Sequence, residues 1–172
     1  TAAKLFSKQW YNRIDADEIG HKIIKKTPIA YKKIIKTFGN GILDENKNIN
    51  RKRLGDIVFN NKTLKKLNSI THPIIIKEIK KQIMIIQEKC GSKTKIIIDA
   101  PLLLETNTKD LVDKIIIVKC GKENILKRLN KKHPKEKIEN ILNAQMPPDE
   151  KLKYADFAID NNMLLIICIY IR

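Results

Sequence analysis

The chain has 172 residues, 35 of them Lys or Arg against 19 Asp or Glu, for a formal net charge of +16. That length buries one good core and excludes two independent ones, while the charge recruits anions such as nucleotides, phosphorylated metabolites or nucleic acid. Cys90, Cys120 and Cys168 are odd in number and widely spaced, which argues against a disulfide framework and a Cys-x-x-Cys zinc site and favours a reducing compartment.

Lys and Ile crowd nearly every segment, so most of the lysines read as solvated helix faces. Aromatic residues are only 5% of the chain, and no RNP-type, zinc-finger or helix-turn-helix pattern accompanies the charge, which weighs against a nucleic-acid-binding module. The N-terminus lacks the apolar stretch of a signal peptide. The apolar run from Met163 to Ile171 falls far short of the roughly 20 residues a bilayer demands. The expectation is a soluble, cytoplasmic protein with no membrane partner.

In chain order, Ala2, Ala3, Leu5 and Phe6 fall within the first turns of a helix that Thr1 opens with nothing before it, so the chain is expected to have lost its beginning. Tyr11 to Asp15 reads as a short strand and Glu18 to Lys25 as a helix with Ile19, Ile23 and Ile24 inward. Thr27-Pro28 starts the next helix and Gly39 closes it. Gly41 to Asn50 reads as a polar loop turning at Asp44-Glu45-Asn46.

Arg51 to Cys90 forms a helical group. Leu54, Ile57, Val58 and Phe59 make one apolar face, Asn60-Asn61 interrupts it, and Leu64, Leu67 and Ile70 make another. His72-Pro73 restarts a helix, with His as cap and Pro at the first helical position, and Ile75, Ile79, Ile83 and Ile86 then recur at helical spacing. Gly91 ends it. Lys95 to Asp99, Asp113 to Lys119 and Phe157 to Asp160 read as buried-strand runs, of the kind expected of parallel strands covered on both faces. Glu123 to Glu150 is basic, with Leu126 and Leu129 inward and Arg128 outward.

Strands alternating with helices spell a parallel α/β sheet. In such a sheet the working residues collect at the carboxyl ends of the strands, and Ile14-Asp15-Ala16-Asp17 sets two carboxylates at one of those ends. Substrate is expected there.

Six segments together resemble dephospho-CoA kinase, in the same order and at matching intervals over roughly residues 1 to 162: Ile14-Asp15-Ala16-Asp17, Arg53 to Phe59, His72-Pro73, Asp99-Ala100-Pro101-Leu102-Leu103-Leu104-Glu105, Gln145-Met146-Pro147 and Ala155 to Asn161. The resemblance implies a P-loop kinase-like parallel sheet flanked by helices, a helical substrate-binding insertion and a helical lid. It implies one domain over 1–172, with its core at 1–19, 91–120 and 152–172, the insertion at 20–90 and the lid at 121–151. It implies transfer of the γ-phosphoryl of ATP, with Mg2+, to the ribose 3′-hydroxyl of dephospho-CoA.

By the same resemblance Asp17 matches the base that orients the attacking hydroxyl and takes its proton late. Thr1, Arg128 and Asn161 match ATP-side positions, and Asp15, His72, Pro73, Asp99, Leu102 and Glu105 match substrate-side positions. Asp15 is also readable as a strand-end cap, and Asp99 as a purely structural strand end.

The departures are specific. The G-x-x-x-x-G-K-[ST] cradle does not precede Thr1 in this chain, and with it go its lysine, its metal hydroxyl and the first strand that the family places at the centre of the sheet. The chain as written is therefore expected to be inactive. Gly20-His21 stands where the family has an arginine, Lys131-Lys132 replaces a second lid arginine, and Met163 to Arg172 is apolar where the family has a charged amphipathic helix. A non-catalytic remnant that binds CoA-like ligands is the alternative reading, followed by a basic nucleic-acid-binding module.

Overall fold

The computed structural model describes residues 2–8, 11–58, 61–101, 104–105, 109–130, 138, 142, 145–162 and 169–171. Its helices are α1 Ala2–Ser7, α2 Ala16–Lys26, α3 Pro28–Phe38, α4 Arg51–Ile57, α5 Asn61–Cys90, α6 Lys122–Asn130 and α7 Pro148–Leu152. The strands are β1 Asn12–Asp15, β2 Ile96–Asp99, β3 Lys114–Lys119, β4 Phe157–Asp160 and β5 Ile169–Ile171. They form two compact units, one of residues 1–16 and 80–172, the other of residues 17–79.

The first unit holds a five-stranded sheet in the order β1-β2-β5-β3-β4. β1 runs parallel to β2, with Asp15 level with Asp99, and β3 runs parallel to β4. All four residues of β2 are buried, as expected of an apolar strand covered on both faces. Ala3, Ile97, Ile116 and Val118 form a core cluster here, with Phe6, Tyr11 and Ile159 packed against it. The Phe6 and Tyr11 rings meet edge to face at 5.9 Å, and the Lys95 ammonium lies 5.4 Å from the Tyr11 ring centre.

The sheet departs from the all-parallel expectation at its centre. β5 lies between β2 and β3 and runs antiparallel to both. An isoleucine-rich run has the β-propensity and the unpaired backbone groups to join any open strand flank, and its direction is set by the path of the chain, not by the pattern of its residues.

The second unit is helical. Ile19 and Ile23 of α2 and Ala30 and Ile34 of α3 are buried at helical spacing. Gly39 closes α3 with φ +80°, a left-handed conformation that a side chain would strain, and its N–H reaches the Ile35 carbonyl at 2.8 Å. The segment expected as polar loop carries buried Ile42 and Ile49, joined by a Leu43–Ile49 bridge around an Asp44 turn. Asp44 Oδ1 accepts from the N–H groups of Asn46 and Asn48 at 3.0 and 2.8 Å. Asn50 caps α4 through the N–H groups of Lys52 and Arg53. Of the apolar face expected on α4, Leu54 is buried, Ile57 is 39% exposed and Phe59 lies outside the described residues.

His72-Pro73 does not restart a helix. Pro73 sits inside α5, which runs unbroken from Asn61 to Cys90. Pro73 has no N–H to give the Ser69 carbonyl, an omission that costs a helix interior about 3 kcal/mol in isolation. The buried faces of Ile79 and Ile83 beyond it outweigh that local penalty. Thr71, also buried, satisfies its hydroxyl on the Leu67 carbonyl at 3.0 Å.

Candidate active site

The carboxyl ends of β1 and β2 bring three charged side chains together. Arg13 and Asp15 alternate along β1 and so share a face, and parallel register sets Asp99 beside Asp15. One guanidinium nitrogen, Nη2 of Arg13, lies 2.6 Å from Oδ2 of Asp15 and 2.6 Å from Oδ2 of Asp99. Arg13 Nε also donates to Asp99 Oδ2, at 3.2 Å. The two carboxylate oxygens are therefore no more than twice the shorter distance apart, a separation at which like charges need a cation between them.

Burial pushes the Asp99 carboxyl above the usual carboxylate range, and the charge of Asp15 acts in the same direction, against the hydrogen bond and charge of Arg13. For Arg13, burial works against the charge. The bonds and charges of Asp99 and Asp15 outweigh it and hold the guanidinium protonated even more firmly than usual.

Asp17 lies in the first turn of α2, which begins directly after β1, and Glu18 follows it there. An N-terminal turn is where a helix favours carboxylates. Glu18 is paired with Lys22 at 2.7 Å. His21, at the position where the resemblance expects an arginine, is met by one: Arg51 Nη2 lies 2.6 Å from His21 Nε2. A guanidinium can only donate, so that ring nitrogen is the unprotonated one.

A second cluster lies at the far ends of β3 and β4. Arg128 of α6 donates to the carbonyls of Asn161 and Asn162 at 3.2 and 3.3 Å and to Cys120 Sγ at 3.3 Å. Asn161 N–H is held by the Lys119 carbonyl at 2.8 Å. Asn162 Oδ1 accepts from Gly121 N–H at 2.8 Å, and Asn124 Nδ2 donates to the Asn162 carbonyl. A Cβ on Gly121 would stand 3.1 Å from that Asn162 oxygen, so any larger residue here has to push the Asn162 amide back by a few tenths of an ångström.

Glu105, at the end of the Asp99 to Glu105 motif, joins the segment that carries Gln145-Met146-Pro147. Its Oε1 accepts from Met146 N–H at 2.6 Å and lies 3.3 Å from Lys151 Nζ, which also donates to the Pro101 carbonyl at 3.1 Å. Two of the motifs that carry the resemblance are thus physically tied.

The sequence-derived candidates are distributed accordingly. Asp15 and Asp99 meet at one strand end, and Arg128 and Asn161 meet at another. His72 and Pro73 lie mid-helix in α5. Thr1 and Leu102 fall outside the described residues. Two participants were not singled out from sequence. Arg13 is signalled by a cation two residues from Asp15 on one strand face, and Lys151 is hidden among many solvated lysines although it is only 5% exposed.

Comparison with known proteins agrees with the motifs. The family model for dephospho-CoA kinase matches residues 1–165. The chain is 40% identical to a dephospho-CoA kinase of Aquifex aeolicus, over 94% of this chain and 82% of the relative. It is 42% identical to that of Carboxydothermus hydrogenoformans, over 94% and 79%. Among solved structures it is similar to dephospho-CoA kinase from Campylobacter jejuni, with TM-score 0.63 and 34% identity over 92% of this chain and 80% of that one. A Thermus thermophilus structure shares the fold, at TM-score 0.73 and 20% identity over 94% and 81%.

Proposed function

This chain belongs to the dephospho-CoA kinase family, and we propose that its protein moves the γ-phosphoryl group of ATP onto the ribose 3′-hydroxyl of dephospho-CoA, giving coenzyme A. The family match across residues 1–165 carries this reading. In the reaction the 3′-oxygen forms a bond to the γ-phosphorus, the bond from that phosphorus to the bridging oxygen of ADP breaks, and the hydroxyl proton leaves. Asp17 orients the hydroxyl and accepts the proton late, since a carboxylate is too weak a base to deprotonate a sugar hydroxyl beforehand.

The remaining candidates take positioning and binding roles. Asp15 and Asp99 shape the strand-end corner, with Leu102, Glu105, His72 and Pro73 on the dephospho-CoA side. Arg128 and Asn161 serve ATP, a planar multi-donor group and a backbone turn suiting phosphate and adenine. Thr1 belongs with the phosphates.

Mg2+ is expected with ATP. Among the described residues no group of three His, Cys, Asp or Glu could hold a metal. A hard cation of this kind is usually bound through one or two carboxylates while substrate phosphates and water supply its other ligands. Asp99 is the carboxylate that fits its water shell. The ion, when bound, neutralises charge on the phosphates.

The test is ATP-dependent formation of coenzyme A by the full-length protein, with ADP released in equal amount. ATP and dephospho-CoA should each raise its melting temperature, because they bind the folded state. Binding without turnover supports a remnant instead. Sequence-selective oligonucleotide binding at physiological salt, without a nucleotide-induced shift, overturns the reading in favour of a nucleic-acid module.

A further inference from the structure

Arg13 occupies the middle of the strand-end corner and has no role in the reading above. Its side chain is 23% exposed, and its single Nη2 is shared by carboxylates from two strands. Both contacts go to Oδ2 atoms, so the pairing anchors one oxygen of each carboxylate and leaves Oδ1 of Asp99 outside it. We propose that Arg13 is a positioning residue for phosphoryl transfer, which presets the Asp15 and Asp99 carboxylates at the ends of β1 and β2 before substrate arrives.

Three physical points support this. Parallel register forces Asp15 and Asp99 together whatever Arg13 does, so the cation is what makes two adjacent ionised carboxylates compatible. The guanidinium is planar and reaches Oδ2 of Asp99 through both Nε and Nη2, which pins that oxygen from two directions where the single donor point of an ammonium would let it shift. The corner must also receive a substrate that carries phosphates, and Arg13 cancels one of its two negative charges. Phosphoryl transfer depends mostly on positioning and charge, so small displacements of such groups cost rate.

The proposal rests on the kinase reading, and its test separates the two. In the full-length protein, Arg13→Met should lower kcat about tenfold or more while KM for dephospho-CoA stays within about threefold, because a positioning residue acts through the carboxylates it pairs with. Arg13→Lys should fall between wild type and Arg13→Met, restoring charge without the fork. Unchanged kcat per folded molecule in Arg13→Met overturns the proposal, as does a rise in KM alone, which would make Arg13 a substrate ligand. A ligand-free readout accompanies the kinetics. Nitrogen-15 NMR of wild type should show slowly exchanging Arg13 guanidinium protons that are lost in Asp99→Asn. Their absence overturns the pairing whatever the activity. A wild-type protein that keeps these signals and forms no coenzyme A overturns the kinase reading, and with it the role of Arg13 in that reaction.

Discussion

Lys151 of α7 and Glu105 at the end of the Asp99 to Glu105 motif form an ion pair, with Nζ 3.3 Å from Oε1 and the lysine almost wholly out of water. Lys151 also holds the Pro101 carbonyl, and Glu105 holds Met146 N–H. The pair thus fixes the loop that leaves β2 against the start of α7. Lys151→Met should destabilise the protein by about 2–4 kcal/mol, at or below the usual cost of breaking a buried pair, because Glu105 keeps some contact with water. Lys151→Met combined with Glu105→Gln should cost less than the two single changes added. Urea denaturation of the four proteins measures this cycle.

Asp17 and Asp15 should separate in their effects. In the full-length protein Asp17→Asn is expected to cut kcat about 10²-fold or more with little change in ATP binding. Asp15→Asn, which loosens the bond to Arg13, should lower turnover less and the melting temperature more. Equal kinetic losses at both positions would assign the base wrongly.

Asp156 predicts an acid-side dependence. Its hydrogen bond from Lys114 and one from Ile115 N–H hold its carboxyl below the usual range. A carboxyl lowered in the folded state stabilises above its unfolded value and loses that contribution as the pH falls through the folded one. Melting temperatures measured from about pH 6 down to about pH 2 should therefore decline less steeply in Asp156→Asn than in wild type. Lys114 is raised by the same partner, so its share of stability persists below its ordinary value and disappears as the pH climbs through the raised one. Both groups are exposed, and added salt should shrink both effects.

Gly121→Ala should disturb the Asn162 turn. The new Cβ would stand 3.1 Å from the oxygen that receives Gly121 N–H, and that asparagine's carbonyl is also held by Arg128. We expect a loss of about 1 kcal/mol together with a raised KM for ATP. A loss of stability with ATP affinity untouched would separate this turn from the nucleotide.

Much of the framework was legible because each signal was local. The apolar run 96–98 ending in Asp99 read as a covered strand, and Thr27-Pro28 with Gly39 bracketed α3. What escaped was decided by tertiary contact. Pro73 reads as a helix start from its neighbours, yet burial further along carries the helix through it. Ile42 and Ile49 sit among polar residues and are buried by packing that no short window reveals. At the site, Asp15 and Asp99 were readable as strand ends. The pairing through Arg13 required knowing that β1 and β2 are neighbours in register.

The position of β5 has a kinetic consequence. Among the described residues, its three residues follow the other strands in the sequence and lie in the middle of the sheet, linking the β1-β2 and β3-β4 pairs. Within the described strands, the β1-β2 and β3-β4 pairs are complete in sequence before residues 169–171 are made, and these last residues are the ones that bridge them. Until then two strand flanks rich in isoleucine stay open to any passing chain. Joining strands so far apart in sequence is a long-range step, expected to slow refolding and to leave the open flanks exposed to aggregation before it is complete.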